Sequence, residues 1–328
     1  MRLLRIVEAF FVALREVLAT LVRRARRGPR RPTWTLRIEL AQSVPRALLM
    51  RSKQRGIRWL RDALAGLPTV APYVNNVTFE RVTLGGVPCE WCSPRERETF
   101  RTIVYFHGGG YVFGSLAGLR DLLSRFALAG DARVLGVEYR LAPEHPFPAQ
   151  QDDCLTATRA LLATGTEPKR VALAGDSAGG ALAVATLCAL RDAGDPLPAA
   201  AALICPWTEP YAEGGSMDTN APFDFGDREL LVGWARAAIA GGDASDPRFT
   251  VANAKLEGLP PLLIQVGGVE ILYDQVLRFA QRARAAGVMT SLERLPEMFH
   301  DVHLQASFLR EGAAALDTAA RFLYDRTR

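Results

Sequence analysis

In the opening stretch "MRLLRIVEAFFVALREVLATLV", apolar residues recur every three or four positions, at Leu3, Val7, Phe10, Leu14, Val17 and Leu21. Leu4, Phe11 and Leu18 widen the stripe. This is the period of an amphipathic helix. Arg2, Arg5, Glu8, Arg15 and Glu16 interrupt it, so it is too charged to span a bilayer. It also lacks the unbroken apolar core of a signal peptide. Packing on the body of the protein and lying in a membrane interface both remain open. "RRARRGPRRPTW" then reads as a linker or sharp turn, and residues 36–65 as helical again.

From Val77 the texture changes. Strand patterns fall at 77–84, 87–92, 102–106, 133–138, 170–174, 199–204, 262–266 and 290–295. Helical patterns fall between them, near 116–130, 151–164, 178–193, 273–287 and 304–325. The first two strands form a hairpin, and the rest alternate strand and helix. That rhythm predicts a largely parallel sheet covered by helices on both faces. It fails across 207–258, a stretch too long for a simple crossover, with a helix expected over 228–240. Together with residues 1–75 this segment is read as a cap, and 76–328 as the catalytic domain that carries it.

The chain has 328 residues, 49% of them hydrophobic, enough for a large core. Charge is uneven. Residues 1–61 hold 16 Lys and Arg against 3 acids, and the remainder 24 against 32. A basic region on an acidic body either packs against that body or seeks an anionic surface. No nucleic-acid-binding module is visible, so nucleic acid is not an expected partner. Five cysteines, an odd and scattered count, suggest reduced thiols in a cytoplasmic protein. Cys89 and Cys92 form one C-x-x-C with no second pair, so no metal site is expected.

Two glycine-rich turns carry the chemistry. "GDSAGG", Gly175 to Gly180, follows a strand and opens an Ala-rich helix. It fits G-x-S-x-G, in which a sharp turn projects a serine hydroxyl out of the sheet and glycines prevent collisions. Ser177 is therefore the candidate nucleophile. "HGGG" in "YFHGGGYVFGS" follows the 102–106 strand. Backbone N–H groups of Gly109 and Gly110, with that of Ala178, are candidates for an oxyanion hole. His107 is read as a brace for that loop. Both turns leave the C-terminal ends of parallel strands, where open α/β sheets bind ligands.

His-Gly-Gly-Gly, then Gly-Asp-Ser-Ala-Gly-Gly, together with "YRLAPEHPFPAQQDD", resembles the hormone-sensitive-lipase-like branch of the α/β-hydrolases over residues 75–325. The resemblance implies an α/β-hydrolase fold with an eight-stranded, mostly parallel sheet and a helical cap. It also implies hydrolysis of short- to medium-chain acyl esters with no cofactor. Of four histidines, His107 belongs to the glycine loop and His145 to a Pro-rich segment. His300 and His303 follow the last strand, where the family places its base, and His300 is preferred. The aromatic that usually follows two residues later is missing. The family's catalytic acid follows the seventh strand. In "VGGVEILYDQ", Glu270 takes that place and Asp274 that of a structural acid at a helix start, with isoleucine replacing the usual proline. Tyr111, Phe113, Trp207 and Phe299 are candidates to line the substrate pocket.

Three readings follow from these residues. The first is a soluble serine carboxylesterase acting on a small-molecule ester. The second is a lipase of long-chain lipid esters, peripheral at the inner membrane surface through residues 1–28. The third is a non-catalytic receptor, as in the plant gibberellin receptors, which resemble this family but lack the histidine. Oligomeric state is not legible.

Overall fold

The computed structural model describes residues 2–66 and 71–327. Eight strands form one sheet in the order β1-β2-β4-β3-β5-β6-β7-β8. The hairpin of β1 (Val77–Leu84) and β2 (Val87–Pro94) is antiparallel, and β2 joins β4 (Ala132–Val137) antiparallel. The remaining pairings are parallel, through β3 (Arg101–Phe106), β5 (Val171–Asp176), β6 (Ala200–Ile204), β7 (Leu262–Gly267) and β8 (Thr290–Leu295).

The parallel strands are apolar on both sides because helices cover both sides. On one face, Val104, Leu173, Leu203 and Ile264 pack on α5 (Ala149–Ala163), α6 (Ala178–Ala193) and α9 (Tyr273–Ala285). On the other, Ile103, Ala172, Ala202 and Leu263 pack on α4 (Arg120–Ala129) and α10 (Arg310–Arg326). Cys89 belongs to the first layer and Cys92 to the second. Three residues apart on a strand, they face opposite ways and cannot share an ion.

The cap is a third apolar cluster. It joins α1 (Arg2–Arg27), α2 (Leu36–Arg55) and α3 (Ile57–Gly66) to the insertion between β6 and β7. Trp34, Leu48, Trp59 and Leu60 meet Phe225, Leu230, Met298 and Phe299 there. The insertion contains α7 (Ser216–Thr219) and α8 (Arg228–Ile239). Asp227 caps α8 by accepting from the Leu230 N–H at 2.9 Å.

The elements depart from the sequence pattern in three places. α1 runs on through the arginine-rich stretch to Arg27, since arginine is a good helix former and cations suit a helix C-terminus. The 36–65 helix is two helices, broken at Gly56, which has φ 79°. The last helix starts at Arg310; a 3₁₀ turn over Val302–Gln305 precedes it. Several basic residues of the first segment form ion pairs beyond it: Arg31 with Glu297 and Arg61 with Glu144 in the body, and Lys53 with Asp227 in the insertion. Among the described residues no helix is long and apolar enough to cross a membrane.

Candidate active site

β5 delivers Asp176 and then turns at Ser177, whose φ of 52° and ψ of −116° are strained for a residue with a side chain. The strain is held by β6: the Ser177 N–H donates to Ile204 O at 2.8 Å, and the Trp207 N–H donates to Ser177 O at 2.9 Å. The glycine loop presses directly on this turn. A Cβ on Gly179 would lie 1.9 Å from Phe106 O, and one on Gly108 2.2 Å from an Asp176 carboxylate oxygen. The glycines in both motifs thus let two backbone turns touch.

In the glycine loop, Gly109 has φ 110° and Gly110 φ 57°. Their N–H groups donate to no backbone carbonyl among the described residues. The Ala178 N–H, at the first position of α6, has no partner within its helix. His107 is enclosed and stacked on Tyr139, ring centroids 4.2 Å apart. Its Nδ1–H donates to Gly108 O at 2.7 Å, and the Tyr139 hydroxyl donates to His107 O at 2.6 Å. Burial pushes the His107 pKa down, so the ring is a neutral brace.

Across the sheet edge, His300 Nδ1 lies 3.3 Å from Glu270 Oε1. Glu270 is wholly buried, and its other oxygen accepts from the Gly267 N–H at 2.7 Å. Nε2 of His300, the nitrogen not facing Glu270, lies 3.1 Å from Asp301 Oδ2. Among the described residues Ser177 makes no side-chain hydrogen bond to it. Burial disfavours the charged imidazole, but Asp301 and Glu270 outweigh it and hold His300 well above the ordinary histidine range. A strained serine, a glycine cradle and a carboxylate-oriented histidine at one sheet edge can perform nucleophilic acyl transfer.

Residues 103–304 match the model of a family described by the alpha/beta hydrolase fold. The chain is 45% identical over 252 residues to an acetyl-hydrolase of Streptomyces hygroscopicus, covering 75% of this chain and 82% of that one. It is 33% identical over 260 residues to a carboxylesterase of Mycobacterium tuberculosis, covering 75% and 82%. A crystal structure of an esterase from the bacterial hormone-sensitive lipase family superposes with a TM-score of 0.78 at 38% identity, covering 96% of this chain and 98% of that one. The chain belongs to the hormone-sensitive-lipase-like α/β-hydrolases.

The other acids and histidines of this α/β-hydrolase near the sheet edge have partners of their own. His303 is buried, its Nε2 3.0 Å from Gln265 Oε1, and burial pushes its pKa down to about 3. His145 is exposed in its loop, where its carbonyl accepts from Gln150. Asp274 lies in the first turn of α9, and its carboxylate accepts from the Ser216 N–H at 2.8 Å, tying α7 of the cap to the body. Asp176 accepts from the Tyr105 hydroxyl at 2.6 Å. Burial, then the nearby Asp301, pushes its carboxyl up to about 7.

Tyr111 and Trp207 stack 5.8 Å apart and are nearly enclosed. Phe113 is partly exposed against Trp234, whereas Phe299 is fully enclosed between Trp34 and Phe225. Among the described residues, Cys205, His300 and Asp301 are a set with metal-like donor spacing, their atoms within 4.8 Å of one another. Burial pushes the Cys205 thiol far above its usual range.

Sequence reasoning missed two residues. Asp224, in the cap insertion, is completely buried. Its Oδ1 accepts from the His300 N–H at 2.9 Å and its Oδ2 from the Ile271 N–H at 2.6 Å. Its carbonyl accepts from Gln42 and Arg46 of α2. One residue thus joins the acid loop and the histidine loop through its carboxylate and α2 of the cap through its carbonyl. Asp301 is the other, and its position directly after His300 was the available signal.

Proposed function

We propose that the chain is a serine carboxylesterase with a Ser177–His300–Glu270 triad, acting on short- to medium-chain acyl esters. The packing of the "GDSAGG" turn against the "HGGG" loop carries this reading, because it brings glycine-loop backbone against the turn that holds the serine. Ser177 Oγ attacks the ester carbonyl while His300 Nε2 takes its proton. The carbonyl oxygen becomes an oxyanion facing the N–H groups of Gly109, Gly110 and Ala178. His300 returns the proton to the leaving alcohol, and an acyl-Ser177 ester remains. Water then repeats the sequence and releases the acid. Glu270 holds Nδ1 and stabilises the imidazolium. Glutamate performs this as aspartate does, with one more methylene of reach.

The contact between Nε2 and Asp301 must open for this cycle, so the structure is read as a resting arrangement. Tyr111 and Trp207 are enclosed and Phe113 is half-buried, and aromatic rings so close to the glycine loop suit a compact acyl group. The small acyl class in the name of the Streptomyces relative points the same way. No step calls for a metal or an organic cofactor. We place the enzyme in the cytoplasm.

Hydrolysis of p-nitrophenyl esters from acetate to palmitate by the full chain and by Ser177→Ala tests the proposal. Turnover should peak at the shorter esters, and the variant should lose about 10⁴–10⁶-fold. Near-normal turnover by Ser177→Ala would refute the mechanism. A peak at palmitate would refute the chain-length assignment.

A further inference from the structure

We propose that the outer face of α1 is a docking surface for an anionic lipid bilayer. This interaction goes beyond the esterase reading and does not depend on it. A helix on a soluble surface normally turns polar residues to water and apolar ones inward. α1 does the opposite. Leu4, Val7, Phe11, Leu14, Leu18 and Val22, spaced three or four apart, are each 43% or more exposed. They form one stripe about 27 Å long at 1.5 Å per residue. Its opposite face, at Ala9 and Thr20, is the part packed against the cap.

Most of the charged residues of α1 are held against the cap. Arg5 donates to Asp62, Glu8 accepts from Arg51, Arg55 and Trp59, and Arg23 and Arg24 pair with Glu39. Ion pairs therefore fasten the inner side while the apolar stripe is left to the outside. A contiguous apolar surface of this kind marks an interaction site.

Charge selects the partner. At 100° per residue, Arg15 and Arg26 fall along one edge of the stripe. Both are exposed and enter no ion pair among the described residues, and neither does the exposed Arg27 at the helix end. Two copies meeting through this face would bring two such cationic margins together, with no acids on the stripe to neutralise them. Phosphate headgroups supply that neutralisation, and the acyl region accepts the leucine and phenylalanine side chains. α1 shares its apolar cluster with Met298 and Phe299, which lead into His300, so the docked helix and the catalytic loop belong to one packed unit.

Cosedimentation of the full chain with vesicles of equal parts phosphatidylglycerol and phosphatidylcholine tests the proposal. The parent chain should bind. The double variant Phe11→Gln, Leu14→Gln should lose roughly tenfold or more in partitioning, with p-nitrophenyl acetate turnover unchanged as proof of folding. Arg15→Gln with Arg26→Gln should weaken binding only where phosphatidylglycerol is present. A parent chain left in the supernatant overturns the proposal. So does equal binding by all variants, or a solution dimer that the Phe11, Leu14 change dissolves. Ser177→Ala should bind as the parent does, so failure of the esterase reading and failure of the docking reading are separately visible.

Discussion

Asp301→Asn should make the enzyme more active in acid. In the resting structure Asp301 Oδ2 lies 3.1 Å from His300 Nε2, with Glu270 on the opposite nitrogen. Two carboxylates bracketing one ring favour the imidazolium, and an imidazolium cannot take the serine proton. The sign follows: His300 is held above its ordinary range, so base activity appears only as pH rises through that raised value. Asparagine keeps the shape and an acceptor oxygen, and it tolerates the left-handed backbone at this position, φ 50°. The change therefore removes a charge and little else. At 3.1 Å, unit charges attract by about 1.3 kcal/mol with the dielectric of bulk water and about 5 kcal/mol at an effective value near 20. The smaller figure already corresponds to roughly tenfold in the fraction of neutral imidazole. The assay is kcat/KM for p-nitrophenyl acetate from about pH 5 to about pH 9, corrected by Ser177→Ala for spontaneous hydrolysis. On the acidic side of the profile the variant should exceed the parent by about tenfold or more, with similar plateaus. An acid limb that stays in place, or moves to higher pH, would refute the assignment of Asp301 as the group that holds His300.

The remaining predictions concern the other carboxylates. Glu270→Gln should lower kcat by at least about a hundredfold while Asp274→Asn leaves it within a few-fold; collapse of the Asp274 variant alone would reverse the two roles. Asp224→Ala strips acceptors from the buried N–H groups of Phe225, Ile271 and His300. At about 1–3 kcal/mol for each orphaned donor, thermal denaturation should show a loss of several kcal/mol; an unchanged Tm would mean that water replaces the carboxylate.

The sheet was legible because its strands are short apolar runs bounded by turn residues, and burial on both faces demands that texture. Strand boundaries at 77–84 and 290–295 coincide with those observed. Helix ends were less legible, because a helix end is settled by caps and tertiary contacts more than by hydrophobic period. The arginine-rich run after Val22 illustrates this. Arg23 and Arg24 look like linker residues in sequence, yet a buried Glu39 from the next helix draws both inward and keeps the chain helical.

The candidate site is legible in sequence only where its residues are local. A nucleophile turn and a glycine loop each need a fixed order of residues within six positions, because neighbouring backbone must pass without side chains. Asp224 has no such local signature. It works by accepting three backbone N–H groups from segments 1, 47 and 76 residues away, and any single sequence window contains only an acid between two phenylalanines. Asp301 differs again. The residue was in view beside His300, but a neighbour in sequence ordinarily points away from the ring before it. Only the left-handed backbone at 301 folds its carboxylate back onto Nε2. That conformation makes an ordinary dipeptide into a contact on the imidazole Nε2. Among the left-handed non-glycine residues, Ser177 is the candidate nucleophile and Asp301 touches the candidate base, positions where local preference gives way to the geometry of the candidate site.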